Sequence, residues 1–333
     1  MKKLIFAGFL VFLCVTGSLF AQTLSYLQTI DASSYGSYCT GIAFHNGNLY
    51  VVSFTDKKVL KITNANTASP TVSVFADVSS EATWGSGRGL QGIAVNPATD
   101  DVFVSGDTST GHCVVKYNSS GTKLASLVDS DTGHRNAGCA IWGTDPDLIL
   151  TQTGSGLFDV NLDLSGYDAP AYASGAHSYG RDVCVVGNSI YVSRTAVASP
   201  NLDGIDEFTG GTAGDLTSYA AATWIDGTGF SSQASSGIYA WNYMAIGGLK
   251  SYICWANVVT PGARTLDIYD QSSKTLFKSL GSADNVIDAR DSCVGIFGSD
   301  SYLFISHGGA SNVLVFGIDG ATLSSGIADW SMY

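Results

Sequence analysis

The chain has 333 residues and a formal charge of −12 at neutral pH; 13% of its side chains are charged, 45% hydrophobic and 11% aromatic. The acidic balance argues against nucleic acid and against anionic membrane surfaces as partners. The apolar and aromatic content argues against a disordered chain.

The first 21 residues read as an export signal. Lys2 and Lys3 form a basic start, Leu4 to Val15 is apolar but too short to span a bilayer, and Ala21 offers a small residue for cleavage before Gln22. Cys14 leaves with this segment, because Phe12-Leu13 replaces the small residues that a lipid-anchor cysteine needs. The expected locale is therefore secreted or periplasmic, with residues 22–333 forming one domain. Removing the two lysines takes the charge from −12 to about −14. No later stretch reaches the ~18 apolar residues of a membrane helix.

From Thr23 onward the chain alternates short β-rich runs with turns. Thr23 to Ile30 is a spare strand. Gly41-Ile42-Ala43-Phe44 opens a unit that continues through the turn His45-Asn46-Gly47-Asn48 and the strand Leu49 to Ser53. Asn-Gly is the preferred pair of a two-residue hairpin, which needs positive φ. Lys58 to Thr63 and Thr71 to Val78 complete the unit. The phrase returns at Ile93-Ala94-Val95, Cys139-Ala140-Ile141, Val183-Cys184-Val185, Met244-Ala245-Ile246 and Ser292-Cys293-Val294, with starts 51, 46, 44, 61 and 48 residues apart. A repeat of ~40–50 residues with four strands marks a propeller blade. The expected fold is all-β: a six-bladed β-propeller of four-stranded antiparallel blades, closed by the N-terminal strand, and monomeric.

Each inner run carries a small central residue, which suits the crowding at a propeller axis, and Cys184 and Cys293 read as small apolar fillers. Six cysteines follow the export segment, at 39, 113, 139, 184, 254 and 293. An oxidising locale would let Cys139 and Cys184 bridge adjacent blades. No C-x-x-C pair is present to make a zinc site.

Gly41 to Ser53 and Gly92 to Ser105 resemble the NHL-repeat propellers and the related gluconolactonase-like superfamily. That resemblance implies a six-bladed ring. In its lactonase members it implies a divalent metal on the axis, held by a Glu, two Asn and an Asp. No Glu-Gly-Pro opening precedes the first blade, so no residue here takes up that set. No Ser-x-Asp-x-Gly-x-Thr-Trp box of the sialidase propellers occurs either.

The chain has six arginines, and four precede inner runs: Arg88, Arg135, Arg181 and Arg290. The connections that carry them join an outer strand to the next inner strand and so converge on one mouth of the channel. Guanidiniums gathered there would bind carboxylate or phosphate bidentately. His134, His177 and Tyr179 lie beside two of these arginines as candidate acid/base groups. Trp84 and Trp241 are candidate platforms for a sugar ring. Asp182, Asp291, Asp288 and Glu81 supply the competing reading, a ring of structural ion pairs.

His45, His112 and His307 read as structural residues. The run Asp129-Ser130-Asp131-Thr132-Gly133 lacks the alternating ligands of a calcium loop and reads as a solvated turn. A structural or catalytic divalent metal such as calcium stays open, with no ligand set visible. The expected function is a binding module for a small anionic molecule, an acidic saccharide or a protein partner. The alternatives are a lyase or hydrolase working on an arginine-clamped carboxylate and, behind it, a metal-dependent lactonase.

Overall fold

The computed structural model describes residues 23–129, 136–142, 147–152, 156–172, 180–194, 204–212, 215–226, 237–245, 248–260 and 263–324. Residues 1–21, read from sequence as an export signal, lie outside them, as do Arg135, His134, His177 and Tyr179. Of Trp241 only the backbone is described.

The described strands form six four-stranded antiparallel sheets. Blade one holds β2 (Cys39–His45), β3 (Asn48–Ser53), β4 (Lys58–Thr63) and β5 (Thr71–Asp77), preceded in the chain by β1 (Leu24–Asp31). Blade two holds β6 (Leu90–Val95), β7 (Val102–Asp107), β8 (His112–Tyr117) and β9 (Lys123–Asp129). Blade three holds β10 (Asn136–Trp142), β11 (Asp147–Gln152), β12 (Gly156–Asn161) and β13 (Tyr167–Tyr172). Blade four holds β14 (Gly180–Val186), β15 (Ser189–Arg194), β16 (Gly204–Thr209) and β17 (Ala220–Asp226). Blade five holds β18 (Ile238–Ala245), β19 (Gly248–Thr260), β20 (Ala263–Asp270) and β21 (Thr275–Leu280). Blade six holds β22 (Ala289–Phe297), β23 (Asp300–His307) and β24 (Asn312–Ile318), and takes β1 as its outermost strand.

The pairing of Leu24 with Ile318 through Asp31 with Asn312 closes the ring and covers the edge that β24 would otherwise expose. Asn46 and Gly47 turn with φ of 46° and 73°, as the β2–β3 hairpin requires. No helix among the described residues is long and apolar enough to cross a membrane.

The described core residues form six clusters, one at each blade interface. Side chains alternate along each inner strand, so the first residue of a run packs backwards and the second forwards. Ile42 packs on blade six and Ala43 on blade two. The same rule overturns the expected Cys139–Cys184 bridge. Cys139 faces Phe103 and Val114 of blade two, whereas Cys184 faces Ile253 and Trp255 of blade five, and both thiols are free.

The repeat also needs one correction. The inner run of blade five is Ile238-Tyr239-Ala240, which packs between blades four and six, and Met244-Ala245 lies at the far end of the same strand. The true starts are 51, 46, 44, 55 and 54 residues apart. Tyr239 stands where the other blades carry Ala or Cys, so the small-residue rule fails in blade five.

Candidate functional site

Inner strands start at one end of the ring, where second strands end and third strands begin. Described residues at this end line a cavity of about 510 Å³. Arg88, Arg181 and Arg290 line it, as the spacing predicts, and Arg264 joins them. Four of the six arginines of this acidic chain therefore share one mouth. Arg264 is absent from the inner-strand pattern because it enters from the tip of the long β19–β20 hairpin, opposite Val258. The alternation of strand direction brings that hairpin to the same end, a signal the sequence did contain.

Carboxylates hold part of this charge. Arg88 pairs with Asp107, and one oxygen of Asp288 takes both Arg290 Nη2 at 2.7 Å and Arg264 Nε at 3.3 Å. Burial and the neighbouring guanidinium of Arg290 pull Arg264 below its ordinary range, Asp288 and Tyr38 oppose the shift, and Arg181 adds to it. The Arg290 guanidinium lies over the Tyr38 ring, 4.6 Å from its centroid, and Tyr38 packs on Phe54 with centroids 5.6 Å apart. Tyr38, at a φ of 60°, has its amide bonded to Ser311 Oγ at 2.9 Å. His307 accepts the amides of Asp288 at 2.8 Å and Ile287 at 3.3 Å, which fixes the link carrying Asp288 and Arg290. Burial holds His307 below its usual range, consistent with a neutral acceptor.

The floor of the cavity is formed by Asp182 and Asp291, which also line the apolar channel below, about 240 Å³ in volume. Asp182 Oδ2 accepts the Ile238 amide at 3.0 Å, and Asp291 Oδ2 accepts the Ile42 amide at 3.0 Å. Each aspartate thus pins the next blade. Burial pushes the Asp182 carboxyl up to about 7 and holds Asp291 well above the carboxylate range, with the charge of Asp182 adding to the rise of Asp291.

Trp84 does not line this cavity; it packs against the core between blades one and two, with its indole N–H on the Ser79 carbonyl at 3.1 Å. His45 bonds Asp100, and His112 is buried against Phe158. Among the described residues lining the mouth and channel there is no glutamate and no asparagine, and no three His, Cys, Asp or Glu side chains gather as ligands. The donor set does not fit the axial metal of the lactonases.

No protein-family model and no curated protein matches this chain. Solved structures do match in fold. An oxidoreductase (glucose dehydrogenase) from Thermus thermophilus superposes with a TM-score of 0.58 at 11% identity, over 89% of this chain and 99% of that one. The WD40 repeats of RRP9 superpose with a TM-score of 0.54 at 8% identity, over 88% and 99%. U3-55K superposes with a TM-score of 0.56 at 8% identity, over 88% and 98%. At such identities the likeness extends to the β-propeller fold alone.

Proposed function

We propose that this chain is an exported β-propeller of the NHL and gluconolactonase-like kind, acting as a binding module for an anionic ligand at its arginine mouth. The observation that carries the reading is the gathering of Arg88, Arg181, Arg264 and Arg290 around one cavity. Asp107 pairs with Arg88 and Asp288 with Arg264 and Arg290, and burial raises both floor carboxyls above the ordinary carboxylate range. Four guanidiniums at one cavity give the mouth a basic lining in a chain of formal charge −12. Guanidinium geometry selects carboxylate or phosphate, and Thr40, Thr55 and Gln91 add neutral hydrogen-bonding groups suited to a hydroxylated ligand such as an acidic saccharide.

Titration calorimetry with uronates, sialic acid and small phosphates tests this. Binding that weakens with added salt and with Arg290→Gln supports it. No heat from any of these at millimolar concentration overturns it.

A second reading is a lyase or hydrolase acting on the same arginine-held anion. The carboxyl of Asp182 favours it, because a group titrating near neutrality inside a cavity is suited to proton transfer. His134, His177 and Tyr179 remain the acid/base candidates named by sequence. Turnover of a uronate oligomer or ester, lost in His134→Ala or His177→Ala with binding retained, would separate the enzyme from the binder.

A further inference from the structure

The floor of the mouth has the opposite charge character from its rim. One position before each inner run rings the axis: Gly41, Gly92, Gly138, Asp182, Gly237 and Asp291. Close approach of the next blade demands the glycines. A Cβ on Gly41 would collide with the Gln91 carbonyl oxygen, and one on Gly138 would stand 2.5 Å from Asp182 Cα. Gly237 is equally confined, 2.5 Å from the Arg290 carbonyl oxygen. Two of the six positions nevertheless carry carboxylates, and both open into the arginine cavity.

Main-chain amides hold these carboxyls without supplying a full positive charge. Asp182 meets Ile238 N, while Asp291 meets Ile42 N and, at 2.7 Å, Ser292 N. Two like charges in a partly desolvated site call for a proton or a cationic group between them. The cations on the packed elements are Arg181, Arg264 and Arg290, on the rim side of the pair. The thiols of Cys139 and Cys184 and the phenol of Tyr239 belong to residues lining the channel, and Cys254 and Cys293 lie in the neighbouring core; all are pushed up by burial and therefore neutral. The cavity thus has cationic donors at its rim and, at its floor, two carboxyls that become anionic acceptors when a cation takes the place of their proton.

We propose that the mouth receives a zwitterion, with its carboxylate or phosphate at the rim arginines and its ammonium group at the Asp182–Asp291 pair. This rests on the anion-binding reading of the mouth and narrows it to amino acids or amino-sugar acids. An ammonium group offers three donors and one positive charge, which matches two cavity-lining carboxyls, each with accepting capacity beyond its main-chain bonds. A volume of about 510 Å³ is in the range of small-molecule sites, and the Tyr38–Phe54 ring pair gives the ligand body an apolar flank.

Matched ligands test the proposal on the full chain by titration calorimetry: glucosaminate against gluconate, and L-phenylalanine against 3-phenylpropanoate. In at least one pair the amino member binds about tenfold tighter or better, as a charge-assisted hydrogen bond at a desolvated carboxyl provides. Asp182→Asn and Asp291→Asn bring the ratio within that pair toward one.

A second readout needs no variant. Titrations at neutral pH in two buffers of different ionisation heat count protons. The ammonium favours the ionised floor, so the amino member releases protons; a simple anion favours the protonated floor and takes them up. Equal affinities with proton uptake in both cases overturn the zwitterion and leave the anion reading intact. Absence of binding by all four ligands and by simple uronates and phosphates overturns both.

Discussion

Arg264 and Arg290 share a single carboxylate oxygen, Asp288 Oδ1, at 3.3 and 2.7 Å. One negative charge therefore restrains two guanidiniums that would otherwise repel each other across the mouth. The link carrying Asp288 is fixed in turn by His307, and Gly309 donates its amide to Asp288 Oδ2 at 2.6 Å. This carboxylate is both a structural brace and a competitor for any anion entering the cavity.

Replacing Asp288 with Asn separates these two effects. Stability is expected to fall by about 1–3 kcal/mol, since a partly buried charge pair loses one partner. Affinity for a uronate or phosphate should rise about fivefold through the added positive charge. Thermal melting and titration calorimetry on the same variant check both; falling affinity together with falling stability would count against an anion site.

Arg264 and Arg88 should respond differently to loss of charge. Arg264→Gln removes a guanidinium that two like charges already disfavour, so melting temperature should stay within a few degrees while anion binding drops about tenfold. Arg88→Gln removes one partner of the buried Asp107, which is 6% exposed, and should cost about 1–3 kcal/mol of stability as well as affinity. Chemical denaturation of the two variants side by side tests the contrast.

The buried aspartates set the pH dependence of stability. Asp182 and Asp291 hold their protons higher in the folded state than in the unfolded chain. Between the ordinary carboxylate range and about 7, the folded state binds more protons, so this contribution is fully present at low pH and is lost as pH rises. Asp56 and Asp77, lowered mainly by serine hydroxyls, act in the opposite sense and lose their contribution as pH falls below the carboxylate range. Stability measured by urea unfolding should therefore peak on the acid side of neutrality. Asp182→Asn should flatten the decline toward pH 7 and above, and an unchanged slope would sink the assignment.

The thiols provide a direct check on strand orientation. Cys39, Cys113, Cys139, Cys184, Cys254 and Cys293 are buried and free. Alkylation of the native protein should leave these six unmodified, and unfolding should expose all of them. A Cys139–Cys184 bridge in a non-reduced digest would contradict their packing toward opposite blades.

The fold was legible because period-2 strands, an Asn-Gly turn and small inner residues recur locally, and a repeat needs no long-range information to be seen. The spare strand at Leu24–Asp31 announced ring closure for the same reason. Blade five escaped the pattern because Tyr239 fills a position held elsewhere by Ala or Cys, and that depends on packing between neighbouring blades.

Sequence spacing also placed Arg88, Arg181 and Arg290 at one mouth, since the connection carrying each follows from blade order. Arg264 was delivered by the length of the β19–β20 hairpin, and the role of Asp182 and Asp291 by three-dimensional closure of the ring. Each aspartate reaches an amide 56 or 249 residues away. The sequence alone determined the strands, their order and the charge carried to the channel mouth. Only the tertiary structure decided which charges face one another, because burial and the separation between blades set the field each carboxyl feels.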